Sequence, residues 1–220
     1  YNIEPLVSIW HFDTSLALEE NYGGWKNRKL IDFYIRYCEV IFNEYKDLVK
    51  DWLTFNEINN KTIFLDMFGS KASDADYQEG YQILHHQFVV SAKAVQIGHA
   101  INPDFMIGNM ICGITFYLGI CDPADILANE HKWQSGIYYC CDVQAKGKYG
   151  TYAKRLWKEH NVELYIIEED LEDLKRGTVD MFTCSYYMSN NVTTHTGGEQ
   201  VSGNFSADAK NPYLTYSDWG

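Results

Sequence analysis

The sequence has little positive charge and no long apolar run, and each absence excludes a class of protein. The chain has 18 Lys and Arg against 30 Asp and Glu, which gives a formal net charge of -12. Nucleic-acid binding depends largely on clustered Lys and Arg that neutralise phosphates, so this balance argues against a protein that binds the phosphate backbone. No run approaches the roughly 18 to 20 apolar residues of a membrane span. We therefore expect neither nucleic acid nor a membrane as a partner.

The six cysteines, at positions 38, 112, 121, 140, 141 and 184, form no C-x-x-C pair and have no even spacing. This arrangement argues against a zinc site and against a disulfide framework. We expect reduced, mostly buried thiols, and we expect no metal ion and no cofactor. The first five residues contain no charged and apolar leader, which favours a cytoplasmic protein.

Four short apolar runs rich in β-branched and aromatic residues predict strands. Their near-continuous apolar character is typical of parallel strands that are covered on both faces. The runs are 6–11, 52–56, 105–111 and 179–187. With 46% hydrophobic residues, the 220-residue chain can form a sizeable core and has the size of one domain or part of one.

Helical spacing of apolar residues, with start and stop signals at the ends, predicts helices between these strands. The helices cover 27–45, 77–100, 149–160 and 168–175. Strands alternating with helices indicate right-handed βαβ units and a parallel sheet. Four such units are too few to close an eight-stranded barrel. The tail 189–220, rich in Asn, Gly, Ser and Thr, predicts an extended loop.

Two groups of titratable residues receive no functional assignment. The acidic run Glu168-Glu169-Asp170 indicates a helix start that the helix macrodipole favours. His85 and His86 are adjacent in a predicted helix, where neighbouring side chains diverge by about 100°, so we do not expect them to share a metal ion.

Polar residues follow three of the four predicted strands, and the residue Glu57 after the second strand carries a carboxyl group. In parallel α/β folds, ligands bind at the carboxyl ends of the strands. Glu57 is the sharpest candidate, because a carboxyl group among Trp and Phe neighbours is desolvated, which favours its protonated form and suits a general acid. The alternative is a strand-end carboxylate that caps a helix or pairs with Lys61.

Three further strand-end residues carry groups that can contact a sugar or a carboxylate. Asn56 can donate and accept hydrogen bonds without a charge, His11 can bind a hydroxyl, and Tyr187 can orient a carboxylate through its phenol. Purely structural roles for His11 and Tyr187 stay open. Adjacent strand residues point to opposite faces, so Asn56 and Glu57 can share a pocket only if the chain turns there.

The segments PLVSIWHFDT (5–14), YGGWKNR (22–28), WLTFNEIN (52–59) and SYYMS (185–189) follow one another along the chain. In sequence and in order they resemble glycoside hydrolase family 1, and within it the bacterial 6-phospho-β-glucosidases. The likeness covers essentially the whole chain, and it is a stronger signal than a single T-F-N-E match. Ser185 and Phe12 resemble the phospho-glycoside branch, whereas Ser15 stands where a proline is usual.

The resemblance implies an eightfold (β/α) barrel and hydrolysis by double displacement with retention of configuration. Two carboxyl groups then lie about 5 to 5.5 Å apart, one a nucleophile and the other an acid/base. Glu57 matches the family's acid/base. Asn56 matches the residue that holds the sugar 2-hydroxyl, His11 matches one that contacts the 3-hydroxyl, and Tyr187 matches the tyrosine that supports the nucleophile.

Other parts of the family pattern do not occur in this sequence. The T/V-E-N-G motif with the nucleophile and the S-x-K-x-x-Y phosphate loop are both missing, and the chain resembles strands three to six of the barrel. We therefore expect residues 1–220 to be a single, incomplete barrel domain. Alone, it is expected to be inactive and to self-associate through open sheet edges.

The function implied for the parent protein is that of a cytoplasmic, retaining glycosidase. Its expected substrates are 6-phospho-β-D-glucosides, which it would cleave to glucose 6-phosphate and an aglycone. The alternatives are a β-glucosidase or a 6-phospho-β-galactosidase of the same family, or a noncatalytic sugar-binding fragment.

Overall fold

One sheet with helices between its strands forms the framework of the protein. The structure is a computed structural model that describes residues 3–67, 72–195, 200–202, 207–209 and 213. The strands in these residues are β1 (Leu6–Trp10), β2 (Asp51–Phe55), β3 (Met106–Leu118), β4 (Met181–Val192), β5 (Gln200–Ser202) and β6 (Ala207–Ala209). Their order across the sheet is β1-β2-β3-β4-β6-β5. The first four are mutually parallel, and β5 and β6 are antiparallel additions beyond β4.

Helices connect each parallel strand to the next. They are α1 (Leu16–Tyr22), α2 (Lys29–Tyr45), α3 (Asn60–Met67), α4 (Asp74–Ile101), α5 (Pro123–Trp133), α6 (Tyr139–Lys146), α7 (Ala153–Glu159) and α8 (Glu168–Arg176). A short 3-10 helix, Gly24–Lys26, precedes α2, and a π-helix, Gln134–Tyr138, joins α5 to α6. The predicted alternation of strands and helices is thus confirmed. The four parallel strands and their helices form part of a (β/α)8 barrel.

The four predicted strands are present, but two of them are longer than expected. β3 was predicted to end at Ile111 and instead continues to Leu118. There its last residues, from Ile114 onward, pair with the end of β4 up to Val192. The prediction of an extended loop from position 189 was therefore wrong at its start, and β5 and β6 lie within the same stretch. The residues before Val192 are polar, so this part of β4 has no apolar run by which a strand could be predicted. Its strand conformation follows from backbone pairing with β3.

The four predicted helices are also present, with shifted ends. α4 begins three residues before the predicted start, because Ser73 and Asp76 form a capping box there. The backbone N–H of Ser73 donates to Asp76 Oδ2 at 2.7 Å. Helices α1, α3, α5 and α6 were not predicted.

The core between the sheet and α2 is built from aromatic rings. The ring of Trp52 on β2 lies 5.1 Å from that of Phe42 on α2, and Phe42 lies 5.5 Å from Phe105. The hydroxyl of Tyr34 donates to the backbone oxygen of Thr54. All five side chains are buried, so they fix α2 against β2 directly below the carboxyl end of that strand.

A buried carboxylate, Asp170, links the starts of α2 and α8 to the middle of α4. The guanidinium of Arg28 donates to both of its oxygens, with 2.9 Å between Nη1 and Oδ2. His85 Nε2 lies 3.0 Å from Oδ2, the N–H of Ile167 donates to the same oxygen at 3.2 Å, and His85 Nδ1 lies 2.8 Å from the hydroxyl of Tyr149. Burial alone would raise the pKa of Asp170, but the hydrogen bonds from His85 and Arg28 outweigh it and hold the pKa well below its usual value.

The cysteines and the helices bear on two further expectations. All six cysteines are unpaired in the structure. Cys38, Cys112 and Cys140 are buried, whereas Cys121 and Cys184 are exposed, so the expectation of mostly buried thiols is correct for only half of them. In the part of the chain that the structure describes, no helix combines the length and the apolar character needed to cross a membrane.

Candidate active site

The candidate site lies where β1 and β2 end side by side. Trp10, the last residue of β1, pairs with Phe55, the last residue of β2. One residue further, the backbone N–H of Asn56 donates to the backbone oxygen of Trp10 at 2.9 Å. His11 and Asn56 therefore follow neighbouring strand ends at the carboxyl edge of the sheet, which is where parallel α/β folds bind ligands.

The chain turns sharply immediately after β2. Glu57 has a φ of 45°, in the left-handed region that residues other than glycine rarely adopt. Its backbone oxygen accepts a hydrogen bond from the N–H of Asn60 at 2.9 Å, and α3 begins at Asn60. This is the turn that Asn56 and Glu57 require if they are to face the same side.

The turn is anchored to β3 by the buried side chain of Asn59. Its Oδ1 accepts from the N–H of Cys112 at 2.7 Å, and its Nδ2 donates to the backbone oxygens of Cys112 at 3.0 Å and Gly136 at 2.8 Å. The N–H of Ile58 also donates to the backbone oxygen of Met110 on β3 at 3.2 Å. These bonds hold the left-handed conformation at Glu57, which costs of the order of 1 kcal/mol by itself.

The two oxygens of the Glu57 carboxyl group have different environments, although its side chain is only 6% exposed. Oε2 accepts a hydrogen bond from Asn60 Nδ2 at 3.1 Å. Oε1 is buried and has no hydrogen-bond partner among the described residues. Both Glu57 and Lys61 are described, and no ion pair joins them, which removes the ion-pair alternative for Glu57. Oε1 therefore keeps its capacity to accept a hydrogen bond from a ligand.

Glu57 lies on a cleft of about 320 Å³. Its lining includes the aromatic residues Trp10, Trp25 and Phe64. It also includes Lys26 and Glu79, which form an ion pair with 2.8 Å between Nζ and Oε2. The remaining lining residues are Phe12, Thr14, Glu19, Gly23, Ile58, Asn60, Lys61, Ile83 and Gln87. Apolar faces with a few polar groups are typical of pockets that bind small molecules.

The other predicted site residues are not all brought into this cleft. Asn56 is 5% exposed, and it does not line the cleft. His11 is exposed at the end of β1, with its ring 5.4 Å from that of Phe12, and it does not line the cleft either. The structure thus groups Glu57 with Trp10, Trp25 and Asn60, and it leaves His11 and Asn56 beside this group.

Tyr187 belongs to β4, two strands away from β2 in the sheet. Tyr186 pairs with Gly113 and Met188 with Ile114, so Tyr187 is the extra residue of a bulge in β4. Bulges change the direction in which a strand presents its side chains. The side chain of Tyr187 lies outside the described part of the structure.

The groups around Glu57 limit which kinds of chemistry the site can perform. Burial raises the pKa of the Cys112 thiol to about 12, and the charge of Glu57 contributes to this rise, so the thiol stays protonated and is a poor nucleophile. Across the described residues, no group of three or more His, Cys, Asp and Glu is arranged to hold a metal ion. A carboxyl group with a free buried oxygen is the group best suited to proton transfer here.

Sequence reasoning missed Asn59 and Asn60 as site residues. Asn60 stands three positions after Glu57, at the first turn of a helix, and this spacing could have been noticed. The partners of Asn59 are 53 and 77 residues away along the chain, so no local pattern indicates them.

A parallel sheet with helices between its strands, and a buried carboxyl group at the carboxyl edge, defines a protein of the α/β-barrel class with a strand-end site. The model of glycosyl hydrolase family 1 matches residues 1–220, and the chain belongs to that family. The family assignment made from the four sequence segments is thereby confirmed.

Relatives and solved structures agree with this assignment. A 6-phospho-beta-glucosidase of Clostridium longisporum is 44% identical over all of this chain and 47% of its own length. An aryl-phospho-beta-D-glucosidase of Bacillus subtilis is 43% identical over all of this chain and 48% of its own length. The chain thus spans about half the length of these relatives.

The fold is also found in solved structures. A beta-glucosidase from Exiguobacterium marinum superposes with a TM-score of 0.78 at 24% identity, over 99% of this chain and 48% of that one. A family 1 b-glucosidase from Thermotoga maritima gives a TM-score of 0.71 at 25% identity, over 86% of this chain and 42% of that one. The expected partial (β/α) barrel is confirmed.

Proposed function

We propose that the protein to which these 220 residues belong is a retaining glycosidase that cleaves 6-phospho-β-D-glucosides to glucose 6-phosphate and an aglycone. The observation that carries the proposal is the buried, unpartnered Oε1 of Glu57 in a cleft at the carboxyl end of β2. The phosphorylated substrate is supported by the relatives: an AscB protein of Escherichia coli, 40% identical over the whole chain, is also named a 6-phospho-beta-glucosidase.

In the proposed mechanism, Glu57 acts first as an acid and then as a base. Its proton passes to the glycosidic oxygen as the bond from that oxygen to the sugar C1 breaks, and a nucleophilic carboxylate forms a bond to C1. Water then attacks C1, Glu57 takes a proton from it, and the bond from C1 to the nucleophile breaks. We assign the nucleophile and the phosphate-binding loop to parts of the protein outside residues 1–220.

Three other residues are proposed to contact the sugar or the nucleophilic carboxylate. Asn56 would hold the 2-hydroxyl, His11 would contact the 3-hydroxyl, and Tyr187 would support the nucleophilic carboxylate. The position of His11 and Asn56 at adjoining strand ends supports the first two roles, since one sugar ring can span neighbouring strands. The bulge at Tyr187 supports the third, because bulges are common next to active sites.

Replacing Glu57 with Gln in the full-length protein tests this proposal. The amide cannot transfer a proton, so we expect kcat/KM for methyl 6-phospho-β-glucoside, whose leaving group must be protonated, to fall by about 100- to 10,000-fold. Glu44→Gln, on an exposed position of α2, is the matched control and should keep full activity. Full activity of the Glu57→Gln protein would contradict the proposal.

Paired substrates decide between the sugar classes. The proposal expects hydrolysis of the 6-phosphorylated aryl glucoside and little hydrolysis of the free one. Preference for the free glucoside would favour a β-glucosidase, which the names of the solved structures suggest. Preference for the 6-phospho-galactoside would favour the corresponding galactosidase, and binding without turnover would favour a noncatalytic sugar-binding role.

We further propose that residues 1–220 form one incomplete domain and that the enzyme is cytoplasmic. We also propose that the 220-residue chain alone is inactive and self-associates. Exposed apolar side chains on the described strands, such as Leu6, Phe182 and Tyr186, support self-association. Sedimentation of the isolated chain should reveal oligomers. A single monomeric species would contradict the proposed self-association.

A further inference from the structure

The side-chain amide of Asn60 is the one described protein group that donates a hydrogen bond to the carboxyl group of Glu57. The distance from its Nδ2 to Oε2 is 3.1 Å, and the other oxygen, Oε1, has no partner among the described residues. A carboxyl group with one donor on one oxygen is chemically asymmetric. Its two oxygens can therefore have different tasks.

The oxygen that accepts the amide N–H is the better site for the negative charge, and it is the poorer site for a proton. When Glu57 is protonated, the proton is accordingly favoured on Oε1, the oxygen without a donor, and Glu57 is one of the residues that line the cleft. When that proton leaves, the bond from Asn60 becomes charge-assisted and about twice as strong. An interaction that strengthens as the proton departs lowers the barrier of the acid step, because it stabilises the transition state more than the ground state.

We propose that Asn60 is a positioning residue for Glu57: its amide holds Oε2 as the acceptor, so that Oε1 delivers and recovers the proton. This inference rests on the proposed function, in which Glu57 is the acid/base. In the acid step, the proton on Oε1 passes to the departing oxygen, and the negative charge left on the carboxylate is stabilised at Oε2. On the return step, Oε1 accepts a proton from water.

The local structure fixes Asn60 for this task. Asn60 is the first residue of α3, and its backbone N–H closes the turn on the backbone oxygen of Glu57 at 2.9 Å. The preceding residue, Asn59, ties the same turn to β3 through Cys112 and to the π-helix through Gly136. These bonds fix the backbone of Asn60 relative to Glu57, so the Asn60 amide starts from a position within hydrogen-bond reach of Oε2.

Full-length Asn60→Leu and Asn60→Asp proteins test the inference. Leu keeps the size of the side chain without a donor, and Asp replaces the donor with an acceptor that carries a like charge. We expect kcat/KM for a substrate with a poor leaving group, methyl 6-phospho-β-glucoside, to fall roughly 10- to 100-fold in both variants. For 2,4-dinitrophenyl 6-phospho-β-glucoside, which needs little acid assistance, the loss should stay below about threefold. Asn43→Leu, at an exposed position of α2, is the matched control.

The ratio of the two kcat/KM values is the deciding measurement, because it does not depend on the fraction of folded enzyme. The alkaline limit of activity should also move to higher pH in both variants, further in Asn60→Asp, since the proton is held more tightly without the donor. Equal losses on both substrates, or an unchanged ratio and pH profile, would overturn the inference. If Glu57→Gln itself spares the poor substrate, the proposed function fails, and the two failures are thereby distinguished.

Discussion

Two of the four buried carboxyl groups in the described residues, those of Asp170 and Glu57, have opposite environments. Asp170 is fully buried, and both of its oxygens accept hydrogen bonds from Arg28, with further contacts from His85 and Ile167. Glu57 is almost as buried, yet it has one donor on one oxygen and a strained backbone. We therefore expect Asp170 to contribute more to the stability of the fold than Glu57, whose free oxygen is available for the proposed chemistry.

Removing the charge of Asp170 should have the largest effect on stability. In Asp170→Asn, the guanidinium of Arg28 loses its charged partner in a partly buried position, and we expect a loss of about 3 kcal/mol in the free energy of unfolding. Denaturant unfolding of the full-length protein measures this loss in the free energy of unfolding. The neighbouring Glu169→Gln, at an exposed position, is the control and should change stability by less than about 0.5 kcal/mol.

The contribution of Asp170 should also depend on pH in a defined direction. Its pKa is lowered in the folded protein, so its stabilising effect is complete above the ordinary unfolded value of about 3.9 and is lost as the pH falls toward the lowered value. The difference in unfolding midpoint between the native protein and Asp170→Asn should be constant above about pH 5 and should shrink below about pH 4. A difference that grows on acidification would show that another group is responsible.

Of the two buried carboxyl groups compared, Glu57 is expected to have the smaller effect on stability. Its carboxyl group has a single donor, so Glu57→Gln should change the free energy of unfolding by less than about 1 kcal/mol, although it should abolish most activity. The same denaturant titration measures this change beside Asp170→Asn. If Glu57→Gln loses as much stability as Asp170→Asn, the contrast between the two carboxyl groups is wrong.

The strands were predictable where apolar runs end at polar residues. β1 and β2 end within one residue of their predicted ends, because His11 and Asn56 interrupt the runs. β3 was predicted to end at Ile111, two residues before Gly113, but it continues through this glycine. A Cβ at that position would lie 2.7 Å from the backbone oxygen of Ser185, so this glycine permits close approach of β4 within the strand.

The site was predictable only in part. Glu57 was found because it follows a buried strand, a local feature of the sequence. The bonds that hold its turn join residues far apart, as does the pair of Arg28 and Asp170, which are 142 positions apart. Such contacts follow from packing of the whole sheet and its helices, and a single sequence carries no local periodicity that reports them.

The link between Asn59 and Gly136 has a consequence for the order of events during synthesis. The turn that carries Glu57 is anchored to a π-helix carbonyl that lies 77 residues later in the chain. At about 5 to 20 residues per second, a ribosome adds that length in roughly 4 to 15 s. Until then the nascent chain contains Glu57 without its complete anchor, so the geometry of the site is acquired well after its acidic residue has been translated.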